Sequence, residues 1–390
     1  MQPLSVARTA IAERPILLTA TVEAGVDLAA LEPRWLAVER RSAGSFFQSW
    51  AWVGCLAEER FDDPVLIEVK YDGAPVAMAL FNRGPRRFPF GRRMWLGESG
   101  KPKLDAVFIE HNGVLVVRHM GTDDALRACL CTALSAAIGT RGWLVLSGVD
   151  RAHREAAAGV GIFVAASQTR MAPYVDLAAA RTEGTPYLSL LSANTRYQLR
   201  RSMRRYAEAG AVSVTRATSL DQALDFFQAM GVLHQATWRG RGQPGAFASP
   251  EFTRFHHALI ERAHAAGGVD MLRIAAGDRV LGYLYNMRHY GRVCAYQSGF
   301  DYAGAEGHER PGLTCHHAAI EHYLSAGDET YDFLAGDGRY KTSLSTATAP
   351  LHWLRLVDAR SAAGLVLRCA RAMRSGPARA LKARDPAPLG

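Results

Sequence analysis

The sequence predicts an α/β protein built from two domains of similar element order. One observation is the stretch Val293–Lys341, which runs from a β-rich segment through a glycine-rich loop into a helix and a second short strand, the order of a βαβ unit. Another is a strand–glycine turn–strand pattern that occurs in both halves at a constant offset. A chain of 390 residues is also long for one ordinary domain. The matched positions are Gly73 with Gly277, Val76 with Val280, and Leu80 with Leu284.

The first half begins with two predicted helices and a hairpin. Leu28–Arg41 has a helical pattern, and Ser49 is placed to cap a second helix that runs to Arg60. Asp72-Gly73 separates two alternating apolar runs, which is the strongest short-range signal for a hairpin. The other predicted elements of this half are a helix Thr122–Gly139, a strand Trp143–Ser147, a helix Ala152–Gly159 and an edge strand Pro173–Leu177.

The second half starts with a long predicted helix, Tyr187–Ala209, and ends in the strand PLHWLRLV. Between them the pattern predicts a strand Val212–Arg216, helices Leu220–Arg239 and Pro250–Ala266, a two-strand unit with its turn at Gly277-Asp278, and the βαβ unit.

The βαβ unit contains a predicted anion site. Pro311 suits the first turn of its helix, because the first N–H groups of a helix have no partner inside it. Those free N–H groups and the positive end of the helix dipole favour an anionic ligand, often a phosphate. A strand Thr330–Leu334 and the loop Ala335–Lys341 complete the unit.

The run PG-L-x5-AIE-x5-G-x3-YDFL-x-G-x3-YK, from Pro311 to Lys341, resembles the acyl-CoA-binding core of the GNAT superfamily of N-acyltransferases. More narrowly, it is similar to the CelD/BcsL branch and to the FemAB-like peptidyl transferases. One departure concerns the usual GNAT pyrophosphate loop, Arg/Gln-x-x-Gly-x-Gly/Ala. Here Gly304, Gly307, Arg310 and Gly312 stand at other intervals.

The resemblance implies tandem GNAT-like domains with mixed sheets, packed around a central cleft. It places an N-terminal domain at residues 1–178, an acyl-CoA-binding domain at 179–357 and a basic tail at 358–390. The N-terminal domain lacks a second Pro-Gly helix start, so we expect its own CoA site to be degenerate.

The resemblance also implies acyl-CoA as co-substrate, with no permanently bound cofactor. In GNAT folds a splayed strand before the glycine loop supplies N–H donors to the acyl oxygen, and the following helix start holds the pyrophosphate. The residues expected to bind acyl-CoA are Tyr296, Gln297, Ser298, Gly299, Arg310, Gly312 and Leu313.

Tyr340, Lys341 and Asp332 are the expected catalytic residues. Tyr340 and Lys341 match the Tyr-Lys ending of the family motif; the hydroxyl would protonate the departing thiolate, and the ammonium would neutralise developing charge or hold a phosphate. Asp332 lies on a predicted buried strand, where an unpaired carboxylate has a raised pKa and can act as a base. A structural hydrogen bond to a neighbouring loop is the alternative for Asp332.

Arg196, Arg200, Arg204 and Trp238 are the expected acceptor-binding residues. The three arginines repeat at a spacing of four on one predicted helix face, where like charges destabilise the helix and favour an anionic partner. A solvated face is the alternative. Trp238 precedes an Arg/Gly loop that reaches Phe247 and could cover the acceptor.

Composition limits the other possibilities. The net charge of +9 attracts polyanions without choosing among nucleic acid, CoA and an anionic membrane face. The six cysteines show no metal-site spacing, and His316 and His317 are adjacent on a helix and diverge by about 100°, so no metal is expected.

The sequence contains neither a signal-peptide layout nor a run of about 18 apolar residues. These features predict a cytoplasmic location, with peripheral contact to the inner membrane face through the basic C-terminal segment as an option.

The expected reaction is transfer of an acyl group from CoA to a primary amine by direct attack. The acceptor class that the resemblance implies is an envelope, polysaccharide or lipid precursor, a long-chain amine or sphingoid base included. Two alternatives stay open: a FemAB-like peptidyl transferase that takes its acyl group from aminoacyl-tRNA, and a non-catalytic GNAT-like binding scaffold.

Overall fold

A computed structural model describes residues 18–86, 91–105, 109–118, 122–137, 142–159, 161–336 and 338–375. Residues 1–17, and the part of the basic tail beyond Ser375, lie outside the described residues. Its β-strands are β1 Leu18–Ala24, β2 Pro64–Tyr71, β3 Ala74–Arg83, β4 Arg93–Leu96, β5 Leu115–Val116, β6 Trp143–Val149, β7 Ile162–Asp176, β8 Val212–Arg216, β9 Val269–Ala276, β10 Arg279–His289, β11 Arg292–Phe300, β12 Thr330–Asp332 and β13 Ala347–Asp358. Its α-helices are α1 Leu28–Glu39, α2 Trp50–Arg60, α3 Thr122–Ala136, α4 Arg151–Ala157, α5 Leu177–Thr182, α6 Tyr187–Leu190, α7 Ala193–Ala207, α8 Leu220–Gly240, α9 Pro250–Ala263, α10 Pro311–Ser325, α11 Arg339–Leu344 and α12 Ala362–Ser375.

The two halves share one mixed sheet, and each contributes a strand to the other. The strand order is β1-β2-β3-β4-β6-β13-β7-β12-β11-β10-β9-β8, with β5 paired to β3. The last strand of the second half, β13, therefore lies between β6 and β7 of the first half. In turn β7 pairs with β12 of the second half. This exchange brings loops of the first half against the end of the βαβ unit.

Short sequence signals predicted the positions of most helices and strands correctly. Ser49 caps α2 by accepting a hydrogen bond from the N–H of Trp52. The hairpin between β2 and β3 turns at Asp72 and Gly73, both with positive φ. Pro311 is the first residue of α10.

Two expectations were wrong. Pro173–Leu177 is not an edge strand; its first four residues end the long strand β7 inside the sheet, between β13 and β12, and Leu177 begins α5. The helix expected at Tyr187–Ala209 is two helices, because the chain is extended at Leu191 and Ser192, and the Ser192 hydroxyl caps α7 at Thr195.

A hydrophobic cluster crosses between the halves and fixes them together. It contains Trp52 from α2 of the first half and Phe255, Tyr285 and Tyr296 from the second half. The ring of Trp52 lies 5.3 Å from that of Phe255 and 6.0 Å from that of Tyr296, both in edge-on arrangements. Each half also has a core of its own on the sheet. None of the helices in the described part of the chain is long and apolar enough to cross a membrane.

Candidate active site

The sheet splays open beside β11. Strand β12 pairs with β11 only over Arg292–Cys294, whereas β10 stays paired with the other edge of β11 as far as Phe300. The register with β10 shifts at Tyr296, because Tyr285 lies opposite Gln297 and Asn286 lies opposite Ala295. A bulge of this kind re-aims the backbone locally. From Ala295 onward, one edge of β11 therefore faces a gap in which its backbone groups can contact a ligand.

Two adjoining cavities fill this gap. The outer cavity, about 350 Å³, lies between β11, the end of α8 and the start of α10. The inner cavity, about 180 Å³, continues from it toward the seam between the two halves. Both are lined by Trp238, Gln297, Ser298 and Tyr340.

Helix α8 packs closely on β11 at the outer cavity. His234 of α8 contacts the carbonyl oxygen of Ser298 through Nδ1 at 3.0 Å and accepts the N–H of Ala246 at Nε2. This pattern requires a neutral imidazole with its proton on Nδ1, and burial lowers the pKa of His234 accordingly. A side chain at Gly299 would collide with the carbonyl oxygen of Met230, so glycine is needed for this approach.

The start of α10 closes the other side of the outer cavity. Arg310, Gly312 and Leu313 line it. The N–H of Arg310 donates to the Ser202 hydroxyl at 2.8 Å, which anchors the loop to α7. A Cβ at Gly312 would stand 2.6 Å from the hydroxyl oxygen of Tyr302, which also lines the cavity. The helix start, with its free N–H groups and the Arg310 guanidinium nearby, has the character of an anion site.

Glu110, a residue of the first half, lies in the inner cavity and was missed by the sequence interpretation. Its carboxylate accepts the N–H of Ala335 and faces Lys341. Burial raises the pKa of Glu110 to about 7, although the Ala335 N–H and the Lys341 charge act in the opposite direction. A carboxylate with a pKa near 7 is suited to general base catalysis. The signal in the sequence was a charged residue inside the apolar run Val107–Ile109 and Val114–Val117.

The expected pair Tyr340 and Lys341 lines the inner cavity at the start of α11. The Tyr340 ring stacks on that of His316 at 5.2 Å, and burial, together with the neighbouring Tyr302, raises the pKa of Tyr340 to about 12. Lys341 donates to the carbonyl oxygens of Leu334 and Ala335 at 3.1 and 2.8 Å. The same turn therefore holds Lys341 through its carbonyls and Glu110 through an N–H.

Asp332 is not the free base that its buried strand position suggested. Its carboxylate is 2.9 Å from Nε2 of His111 and 2.8 Å from a guanidinium nitrogen of Arg292, and it accepts the N–H of Leu334. Burial opposes ionisation of Asp332, but these partners hold its pKa below the ordinary value. The expectation of a raised pKa was wrong because both partners come from elsewhere in the fold, and the carboxylate instead anchors the turn beside Glu110.

The structure separates the expected acceptor-binding residues. Trp238 lines both cavities. Arg196, Arg200 and Arg204 line neither; Arg196 donates to the carbonyl of Ser189, and the other two are exposed on the outer face of α7. An acceptor bound in these cavities would not contact the three arginines, so their role in acceptor binding stays a prediction that these cavities do not support.

A larger cavity of about 700 Å³ lies between the halves on the other side of the seam. His111 and Arg292 line it, so the residue next to Glu110 faces this cleft while Glu110 faces the inner cavity. Within the described ranges, no group of three or more histidine, cysteine or acidic side chains could hold a metal ion.

Residues 193–342 match the family model of the acetyltransferase (GNAT) domain. The structure of FemX superimposes with a TM-score of 0.57 at 11% identity, over 85% of this chain and 96% of FemX. The chain has a GNAT-like fold of the FemAB type. The fold class predicted from the sequence is thereby confirmed.

Other solved structures agree with this FemAB-type fold. The DUF2156 domain of an Agrobacterium fabrum protein, described as a lysylphosphatidylglycerol synthetase, superimposes with a TM-score of 0.52 at 12% identity, over 89% of this chain and 97% of that domain. L-PGS from Bacillus licheniformis gives 0.52 at 10% identity, over 87% and 95%. A comparison with curated protein sequences finds no match. The GNAT match covers β11, α10 and the start of α11, which are the elements that frame the outer and inner cavities.

Proposed function

We propose that this FemAB-type protein is an acyl-CoA-dependent N-acyltransferase that transfers an acyl group to a primary amine. The observation that carries the proposal is Glu110, a buried carboxylate with a pKa near 7 at the end of a cavity that begins at a splayed β-strand. An amine is a nucleophile only after its ammonium loses a proton, and a carboxylate with this pKa can accept that proton near neutral pH.

The donor would occupy the outer cavity with its thioester pointing inward. The phosphates would meet the start of α10 and Arg310, since helix N–H groups and guanidinium forks favour phosphate. The acyl oxygen would lie beside the edge of β11 beyond the end of its pairing with β12, where backbone N–H groups near Gln297 and Ser298 can stabilise the negative charge that develops on it.

The amine of the acceptor would reach Glu110 in the inner cavity. As the amine nitrogen bonds to the carbonyl carbon, the carbon–sulfur bond breaks; the proton that the nitrogen sheds passes to the departing thiolate, so that the products are the amide and the CoA thiol. The Tyr340 hydroxyl stays protonated, because its pKa is raised to about 12, and it can donate a hydrogen bond to the departing sulfur. Lys341 fixes the turn that supports Glu110 and adds positive charge.

The acceptor class is an amine-bearing envelope, polysaccharide or lipid precursor, in line with the CelD/BcsL resemblance of the motif at Pro311–Lys341. A long-chain amine or sphingoid base falls within this class. A cytoplasmic location is part of the proposal, because acyl-CoA is found there.

Thermal unfolding with a panel of acyl-CoAs of increasing chain length tests the donor. A ligand that binds the folded state at about 100 times its Kd stabilises by about 2.7 kcal/mol, which shifts the midpoint by several degrees. We expect one range of chain lengths to give the largest shift, and deacylated tRNA to give none.

Two glycine variants sharpen this test. In Gly312→Ala the new methyl group displaces Tyr302 into the outer cavity, so the shift by acyl-CoA should fall by at least about half. Gly240→Ala is the matched control, because a Cβ at Gly240 meets no atom within 4 Å. Stabilisation by tRNA instead of CoA would support a FemAB-like aminoacyl transfer, and no stabilisation by either would support a binding scaffold.

A further inference from the structure

The C-terminal helix α12 has an apolar face that is largely exposed. Leu365, Val366 and Met373 on this face are 51%, 68% and 70% exposed, and Cys369 between them is exposed as well. Their spacing places them along one side of a helix. The opposite side of α12 packs on β7 and β13, so the helix is docked to the sheet and still presents a second apolar stripe outward.

Basic side chains flank this outward stripe. Arg360 and Arg368 are exposed, and the sequence of α12 contains no acidic residue. Asp358, just before the helix, accepts the backbone N–H of Arg360. Beyond the helix the chain continues with Arg379, Lys382 and Arg384 against a single acidic residue, Asp385. The surface around the stripe is therefore strongly positive, in a chain whose net charge is already +9.

We propose that the outward face of α12 is a docking surface for an anionic lipid bilayer, with the helix lying in the plane of the headgroups. An apolar stripe between arginines matches the two layers of such a surface, since the apolar side chains enter the acyl boundary and the guanidinium groups remain at the phosphates. The positive charge around the stripe favours an anionic bilayer as its occupant. A second copy of the chain would be equally basic and would be repelled. This surface is independent of the acyl transfer proposed above.

The contribution of the arginines to membrane binding can be measured. Each basic residue held near an anionic membrane strengthens partitioning by roughly fivefold at moderate salt, and salt weakens this effect. Reversing two charges removes two attractions and adds two repulsions, so Arg360→Glu/Arg368→Glu should weaken binding by at least about 25-fold. Both side chains are exposed, so the variant should unfold at the same temperature as the wild type.

Co-sedimentation with vesicles tests the proposal on the full chain. The probes are vesicles of pure phosphatidylcholine and vesicles of equal parts phosphatidylcholine and phosphatidylglycerol. We expect binding to the mixed vesicles only, and loss of that binding in Arg360→Glu/Arg368→Glu and in Leu365→Ser/Met373→Ser. The matched control is Arg200→Glu/Arg204→Glu, which makes the same charge change on the exposed face of α7 and should retain binding within about fivefold.

Three outcomes would overturn the proposal. The wild type could fail to bind the mixed vesicles. The control variant could lose as much binding as the α12 charge variant, which would trace the effect to net charge alone. Finally, Leu365→Ser/Met373→Ser could convert a dimer into a monomer in light scattering, which would identify a second copy of the chain as the occupant.

Discussion

Replacing Glu110 with glutamine should separate the chemistry of this side chain from its structural role. A glutamine carbonyl can still accept the N–H of Ala335, so the turn at Leu334 and Ala335 should hold its shape. What the variant loses is the ability to accept a proton. We expect kcat for acyl transfer to fall by about 10²- to 10⁴-fold, with the Kd for acyl-CoA unchanged.

The stability of the same variant can be calculated from the pKa. Burial raises the pKa of Glu110 from 4.5 to about 7, and this shift corresponds to about 3 kcal/mol of unfavourable free energy for the ionised form in the folded protein. Because the folded-state pKa lies above the unfolded value, the wild type is most stable below pH 4.5 with respect to this group. The wild type loses that stability as the pH rises to about 7. Above pH 7 the contribution of Glu110 to the free energy of unfolding no longer changes with pH.

Chemical denaturation of both proteins across this pH range measures the difference. Glu110→Gln should gain stability relative to the wild type as the pH rises from about 5 to about 7, by up to about 3 kcal/mol, a figure that already includes the attraction between Glu110 and Lys341. The activity of the wild type should rise over the same range, because the base works only when deprotonated.

Glu98→Gln is the matched control. Burial also raises the pKa of Glu98 to about 7, but Glu98 accepts the hydroxyl of Ser147 and lines neither the outer nor the inner cavity. This variant should show a similar dependence of stability on pH and keep its activity. A Glu110→Gln protein with normal kcat, or with a stability difference that does not change with pH, would refute the reasoning.

Three further predictions concern other residues of the site. Tyr340→Phe keeps the ring stacked on His316 and removes the hydroxyl, so kcat should fall by about 10²-fold in a steady-state assay of thiol release, with unchanged acyl-CoA binding; an unchanged kcat would exclude a role for the hydroxyl. Asp332→Asn leaves His111 and Arg292 beside a neutral group and should cost about 3 kcal/mol in urea denaturation at neutral pH. Because the folded-state pKa of Asp332 is lowered, this difference should shrink as the pH falls below 3.8, and a constant difference would contradict the pairing. Arg200→Glu/Arg204→Glu should leave the KM for both substrates unchanged, whereas a raised acceptor KM would restore the anionic-acceptor interpretation of α7.

The sequence predicted those parts of the fold and site whose causes are local. The Asp72-Gly73 turn and the Pro311 helix start depend on a few neighbouring residues, and both are where the pattern placed them. The motif from Pro311 to Lys341 is also local, so the outer cavity could be anticipated from it. The edge position expected for Pro173–Leu177 failed because the neighbours of a strand are set by the exchange of β7 and β13, which no short pattern records.

The same exchange explains why the sequence indicated Asp332, and not Glu110, as a candidate base. A sequence shows that Asp332 and Glu110 both lie in apolar surroundings, and burial alone would raise the pKa of either. Which one stays protonatable near neutral pH depends on partners that the tertiary fold brings beside each carboxylate. Asp332 receives His111 and Arg292, whereas Glu110 receives one N–H and faces a lysine whose ammonium already donates to two carbonyls. Asp332 therefore fixes the turn, and that turn holds Glu110 at the end of the cavity where the proposed reaction requires a proton acceptor.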